Sequence, residues 1–180
     1  MEESLWLDVG WNTTAGVWGA TNPDTGITYI YDEMYESKKQ PFEYARTIKL
    51  RGDWINGVVD SASNNSNQHD GTKIFDMLKA EGLKLEFPDK AVEAGIYKVW
   101  EMLTNGKLKV FKSCLNFQEE YKLYRRDEKG KVVKEKDHIM DAMRYLIMSG
   151  MDRAKSKKDY EQSKQPKQGY GTQVKNGWMG

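Results

Sequence analysis

Three aspartates stand where the surrounding apolar sequence leaves them little water. Asp8 interrupts the run Leu5-Trp6-Leu7 to Val9-Gly10-Trp11, Asp60 closes the run that ends Val58-Val59, and Asp141 lies inside the apolar stretch from Ile139 to Met151. An ionised carboxylate buried alone costs several kcal/mol or becomes protonated, so each needs a partner. A divalent cation is one such partner, because Mg²⁺ takes hard oxygen ligands and keeps several waters. Two such ions about 4 Å apart activate a water and stabilise the leaving oxygen in phosphodiester cleavage. Turn and cap chemistry is the competing explanation: Asp8 serving the turn at Asn12 and Thr13, Asp60 the Ser61 to Ser63 loop, and Asp141 facing solvent. Spacing alone does not choose between them.

The pattern around these residues is α/β. Leu5 to Trp11 reads as a buried strand, Ala15 to Ala20 as a second, and the turn Asn22-Pro23-Asp24-Thr25-Gly26 leads to a third at Ile27 to Tyr31. Pro41 opens a helix that Gly52 ends, and Trp54 to Asp60 is a fourth strand. Helices are expected at Thr72 to Ala80, Ala91 to Leu103, Leu115 to Tyr124 and Asp137 to Lys155, with short strands at Leu83 to Phe87 and Leu108 to Phe111. Trp6, Trp54 and Trp100 fall at apolar positions and are expected in the core. The late first crossover, after three consecutive strands, is unusual for a doubly wound sheet. The expectation is therefore a mixed sheet opening with three antiparallel strands, flanked by helices, with Asp8 on a central strand.

With 180 residues, 38% of them hydrophobic, the chain suits one domain of about 1–155, followed by a disordered basic tail over 156–180 rich in Lys, Gln, Gly and Ser. No stretch approaches the roughly 20 apolar residues of a membrane span, and the start Met-Glu-Glu-Ser lacks the basic n-region of a signal peptide. A single cysteine, Cys114, makes no internal disulfide, which suits a reducing cytoplasm.

The near-zero net charge of +1 conceals a division. Residues 1–104 carry a balance of −7 and residues 105–136 a balance of +5. Lys107, Lys109 and Lys112 flank the strand candidate, and Arg125, Arg126, Lys129, Lys131, Lys134 and Lys136 crowd an exposed hairpin expected at 125–136. Without interleaved aromatics, such a hairpin suits phosphate contacts more than base readout. His138, three residues before Asp141, shares its helical face and could bind metal, orient water or contact a phosphate.

The ordered blocks Leu7-Asp8-Val9-Gly10-Trp11-Asn12, Val58-Val59-Asp60-Ser61-Ala62 and Asp137-His138-Ile139-Met140-Asp141-Ala142-Met143-Arg144-Tyr145 resemble the nuclease domain of large terminase subunits from tailed double-stranded DNA bacteriophages of the headful-packaging type. The resemblance runs from about Leu5 to Met151. It implies an RNase H-like, retroviral-integrase-like fold and a metal-dependent endonuclease that cuts concatemeric viral DNA during genome packaging. Asp8, Asp60 and Asp141 match the family's acidic triad, expected to bind two Mg²⁺ or Mn²⁺ ions, and His138 matches a histidine of some members, expected to assist on the Asp141 side. The resemblance also implies double-stranded DNA, the portal protein and the small terminase subunit as partners, at the procapsid in the host cytoplasm. Large terminases carry a P-loop ATPase in their first half. No G-x-x-x-x-G-K-[ST] occurs in this sequence, which thus reads as the nuclease part without ATP hydrolysis. Two other readings remain open at this point: a RuvC-type junction resolvase, and a non-catalytic docking module on the same fold.

Overall fold

The computed structural model describes residues 1–10, 12–60, 73–88, 92–133 and 137–164. The three opening strands are β1 (Glu2–Val9), β2 (Thr14–Thr21) and β3 (Thr28–Glu36), each antiparallel to the next. Helix α1 (Pro41–Arg51) crosses over to β4 (Asn56–Val59), which pairs parallel with β1. Helix α2 (Ile74–Ala80), β5 (Leu85–Glu86), α3 (Val92–Thr104), β6 (Leu108–Val110), α4 (Leu115–Leu123) and α5 (His138–Tyr145) follow. The strands form one sheet in the order β5-β4-β1-β2-β3-β6, so β1 is interior, as the apolar run around Asp8 requires.

Alternation along β1 divides the core into two layers. Leu5, Leu7 and Val9 join Trp18, Tyr44, Ile48, Trp54 and Leu78 beneath α1 and α2. Trp6 points the other way, with Val17, Val58, Phe117, Ile139 and Met143 beneath α3, α4 and α5. The two-residue period carries Asp8 onto the Trp6 face, the face that α5 covers.

Several boundaries differ from the sequence-based expectation. The third strand runs on to Glu36: past an irregularity between Ile30 and Asp32, Met34 is buried in the first core layer. The last helix stops at Tyr145 and continues as a widened π-type turn over Leu146–Gly150 and a 3₁₀ turn over Met151–Arg153. There Leu146 stays fully buried, and the Ser149 carbonyl accepts from Arg153 Nη1 at 2.6 Å.

Among the described residues the expected hairpin is short, with one bridge, Arg126 to Val132. The Asp127 and Val133 N–H groups donate to the Lys131 and Arg125 carbonyls at 2.8 and 3.0 Å, and Asp127 Oδ1 accepts from the Lys129 and Lys131 N–H groups at 2.9 and 2.8 Å around a turn closed by Gly130. Lys134 and Lys136 lie outside the described residues. The tail expected to be unstructured from Ser156 instead begins with α6 (Lys157–Lys164), whose Tyr160 packs on the first core layer and lies under Lys84 at 3.9 Å; 165–180 are outside the described residues. Trp6 and Trp54 are buried, but Trp100 is 59% exposed. Among the described residues no helix is long and apolar enough to cross a membrane.

Candidate active site

Parallel pairing brings the first two carboxylates side by side. Leu7 is opposite Val59, and the Asp60 N–H donates to the Leu7 carbonyl at 2.9 Å, so the register continues and Asp60 stands next to Asp8. Val58 belongs to the Trp6 layer, and two residues later Asp60 returns to that same face. Helix α5 crosses this end of the sheet. Asp141 from α5 lines one polar cavity of about 190 Å³ together with Asp8, Asp60, Trp6 and Tyr145. The cavity wall is a stack: Tyr145 lies on Trp6 with ring centroids 4.4 Å apart, and the Arg144 guanidinium lies 4.0 Å over Tyr145.

Two of the carboxylates are held by cationic or hydrogen-bonding partners. His138 Nδ1 donates to Asp8 Oδ2 at 2.8 Å, and this bond raises the imidazole pKa above its ordinary value despite partial burial. The helical spacing predicts His138 on the Asp141 side; its ring in fact bonds Asp8, because it occupies the first turn of α5, over the end of β1. Arg144 Nη2 pairs with Asp141 Oδ1 at 3.0 Å. Burial works against the Arg144 charge, but Asp141 and the hydrogen bonds of Tyr145 and Asp141 outweigh it and keep the pKa above its ordinary value. With the carboxylates drawn to these partners, no three His, Cys, Asp or Glu side chains among the described residues converge tightly enough to clasp an ion as they stand. The donor set nevertheless fits a hard divalent cation: three carboxylates on one polar cavity, and no thiolate. Cys114 is fully buried elsewhere, and burial pushes its thiol up to about 11.

Two residues that the sequence does not single out hold this end of the fold. Glu120 of α4, only 4% exposed, accepts the Ile139 and Met140 N–H groups at 2.7 and 3.1 Å, capping α5 from a neighbouring helix. Burial pushes its carboxyl up to about 7, although the two backbone bonds pull the other way. Glu33 of β3 does the same for α4, accepting from the Asn116 and Phe117 N–H groups at 2.7 and 3.0 Å. A charged residue at an apolar helical position, as Glu120 is beside Phe117, is the signal the sequence holds.

The basic residues divide. Arg125, Arg126, Lys129 and Lys131 lie on the turn leading toward α5. Lys107 and Lys109 are not brought to the carboxylates. Lys109 pairs with Tyr29, which is opposite Ala20, which is opposite Glu3, five residues before Asp8 along β1 or about 17 Å at 3.3 Å per residue. Lys107 Nζ is engaged by the Thr25 carbonyl at 2.8 Å.

Comparison with known proteins gives the family and the fold. The family described as Terminase RNaseH-like domain matches residues 5–149. The large terminase subunit of Salmonella phage P22 is 30% identical over 152 residues, covering 78% of this chain, which spans only 30% of that protein's length. The solved P22 large terminase nuclease domain superposes with a TM-score of 0.78 at 26% identity, covering 88% of this chain and 86% of that one. The large terminase nuclease domain of bacteriophage SPP1, solved with bound Mn, shares the fold at a TM-score of 0.56 and 18% identity, with 80% and 82% covered.

Proposed function

The chain belongs to the terminase RNase H-like domain family, and from that membership and the cavity lined by Asp8, Asp60 and Asp141 we propose that it is a metal-dependent DNA endonuclease that cuts concatemeric viral DNA during genome packaging. The observation that carries the reading is the convergence of these three carboxylates, from three separate segments, on one polar cavity at the strand ends of an RNase H-like sheet. Asp8, Asp60 and Asp141 would hold Mg²⁺ or Mn²⁺, two ions in the fullest form of the reading. Bound there, the ions supply an acidified water and stabilise charge on the leaving oxygen.

The chain's own residues do the rest. Asp8 and Asp60, on adjacent strands of a rigid sheet, fix two of the ligands. His138 orients Asp8 through its 2.8 Å bond, and Arg144 holds Asp141 until its carboxylate is needed. Arg125, Arg126, Lys129, Lys131 and Lys134 neutralise duplex phosphates without reading bases. Portal protein and small terminase subunit are the partners, and the procapsid in the host cytoplasm is the place of action.

A plasmid-nicking assay with Mg²⁺ or Mn²⁺ and an EDTA control tests the reading. Wild type nicks and linearises plasmid. Asp8→Asn, Asp60→Asn and Asp141→Asn keep the fold and lose cleavage. Cleavage retained by a folded Asp8→Asn protein, or undiminished in EDTA, overturns it.

A further inference from the structure

Trp100 and Tyr121 (52% exposed) line an apolar groove between α3 and α4, and Tyr97 (64% exposed) lies beside Trp100 with ring centroids 5.9 Å apart. Leu103 and Tyr124 form the walls, and the floor is Met140 and Arg144 of α5. The groove encloses about 130 Å³. An apolar cavity of about 150 Å³ takes a benzene-sized group, so there is room for one aromatic or branched aliphatic side chain. Two large, exposed aromatics lining a formed cavity, with a third beside one of them, are what a protein-binding surface looks like before its partner arrives.

The floor supplies the second observation. Arg144 is 2% exposed, and its stem lies against α3 at Gly95, where an added Cβ would come within 2.6 Å of Arg144 Cγ. Nη2 is committed to Asp141, but Nε and Nη1 have no acceptor among the described residues. A buried guanidinium with unmet N–H groups leaves a desolvation cost that an incoming acceptor removes.

We propose that this groove docks an acidic, apolar segment of a partner polypeptide, with one apolar side chain in the cavity and a neighbouring carboxylate on Arg144. Charge decides the occupant. The chain's own residues 165–180 contain Lys167 and Lys175 and no Asp or Glu, so they bring no acidic side chain for Arg144. Arg144 lines the groove and pairs with Asp141 of the carboxylate cavity, and its buried Nε and Nη1 meet a guest carboxylate once the side chain turns toward the groove, so docking and the cavity share one cation. A guest carboxylate weakens the hold of Arg144 on Asp141, and Asp141 becomes a better ligand. By linkage, whatever binds Asp141 favours the guest to the same degree. The docking half stands independently of the proposed nuclease function; the coupling half rests on Asp141 as a metal ligand.

Indole-3-propionate serves as the test compound and its primary amide as the uncharged control, with binding followed in the full chain through the Met140 methyl and Trp100 indole NMR signals. The acid is expected to bind at least 5-fold more tightly than the amide. Trp100→Ala, a surface change that leaves the fold alone, weakens both at least 5-fold. Arg144→Met, if it folds, removes the preference for the acid. Equal binding of acid and amide to wild type, or no perturbation at Met140, overturns the docking site. So does a self-association, seen by sedimentation, that Trp100→Ala abolishes, because it gives the groove to a second copy.

Coupling is read as Mn²⁺ affinity by electron paramagnetic resonance, expected to rise 2- to 5-fold with saturating acid and not with amide. An unchanged Mn²⁺ affinity with the acid bound overturns the coupling alone. Absence of Mn²⁺ binding with or without the acid counts instead against the proposed metal site.

Discussion

His138 and Asp8 are 130 residues apart in sequence and share one hydrogen bond of 2.8 Å, which ties the first turn of α5 to the end of β1. The imidazole fixes which way the Asp8 carboxylate faces. Truncating a residue that orients a metal ligand typically costs 10- to 100-fold in metal affinity or activity. His138→Ala is expected to lose plasmid cleavage by about that factor, with Mn²⁺ affinity falling in parallel. His138→Gln, which can still donate to Asp8, recovers part of both. A loss of cleavage with unchanged metal affinity and no rescue by Gln would make the role of His138 something other than orienting Asp8.

Metal should stabilise the fold itself. A ligand that binds only the native state adds about 2.7 kcal/mol when present at 100 times its Kd, a shift of roughly 5 to 10 °C in the melting temperature of a domain of this size. Mn²⁺ is expected to raise the Tm of wild type by several degrees and that of Asp8→Asn not at all, as differential scanning calorimetry with and without EDTA reads directly. An equal rise in both proteins places the ion elsewhere.

Glu120 gives the domain an unusual pH response. Its carboxyl is raised from the ordinary range to about 7, chiefly by burial. A folded-state pKa above the unfolded one means the contribution is fully present below about pH 4.5 and is lost as pH rises through about 7. Across that window the loss is on the order of 3 kcal/mol, from 1.36 kcal/mol per pH unit. Glu120→Gln, which cannot ionise, is expected to gain on wild type as pH rises from about 4.5 to 8. Urea unfolding at several pH values measures the difference, and parallel curves for the two proteins would show that Glu120 does not titrate in this window.

Charge reversal separates the basic residues by position. Replacing Arg125, Arg126 and Lys129 with Glu should weaken duplex binding and flatten its salt dependence by about 0.9 in log–log slope for each phosphate no longer neutralised. Reversing Lys107 and Lys109, about 17 Å along the sheet from the Asp8 end, should leave the slope nearly unchanged. Fluorescence anisotropy across a salt series reads both, and the opposite ranking moves the DNA path to β6.

Much of this is legible in the sequence, for definite reasons. The three opening strands and the interior position of Asp8 follow from alternation and turn chemistry, both local. Asp8, Asp60 and Asp141 stand out because a carboxylate in an apolar run violates the local pattern. What escapes depends on tertiary geometry. Lys107 is near the basic turn in sequence, yet parallel pairing of β3 and β6 carries it to the far end of the sheet. Trp100 has core spacing on α3 but is left exposed at the groove rim. Glu120 shows in sequence only as a charge three residues after Phe117; its capping role is hidden, because only the docking of α5 sets backbone N–H groups against it. The end of the last helix is hidden because Leu146–Gly150 keeps its apolar spacing through the widened turn.

Asp8 and Asp60 enter the cavity from strands that pair with each other, whereas Asp141 arrives on a helix whose seat is built first: Glu33 caps α4, and Glu120 of α4 caps α5. Each cap holds the start of the helix that follows it in sequence. During synthesis the ribosome releases the first two aspartates long before the third, and a nascent chain stopped short of α5 lacks both Asp141 and the Tyr145 wall of the cavity. The proposed cutting centre is therefore complete only when α5, made long after the sheet, is seated against it.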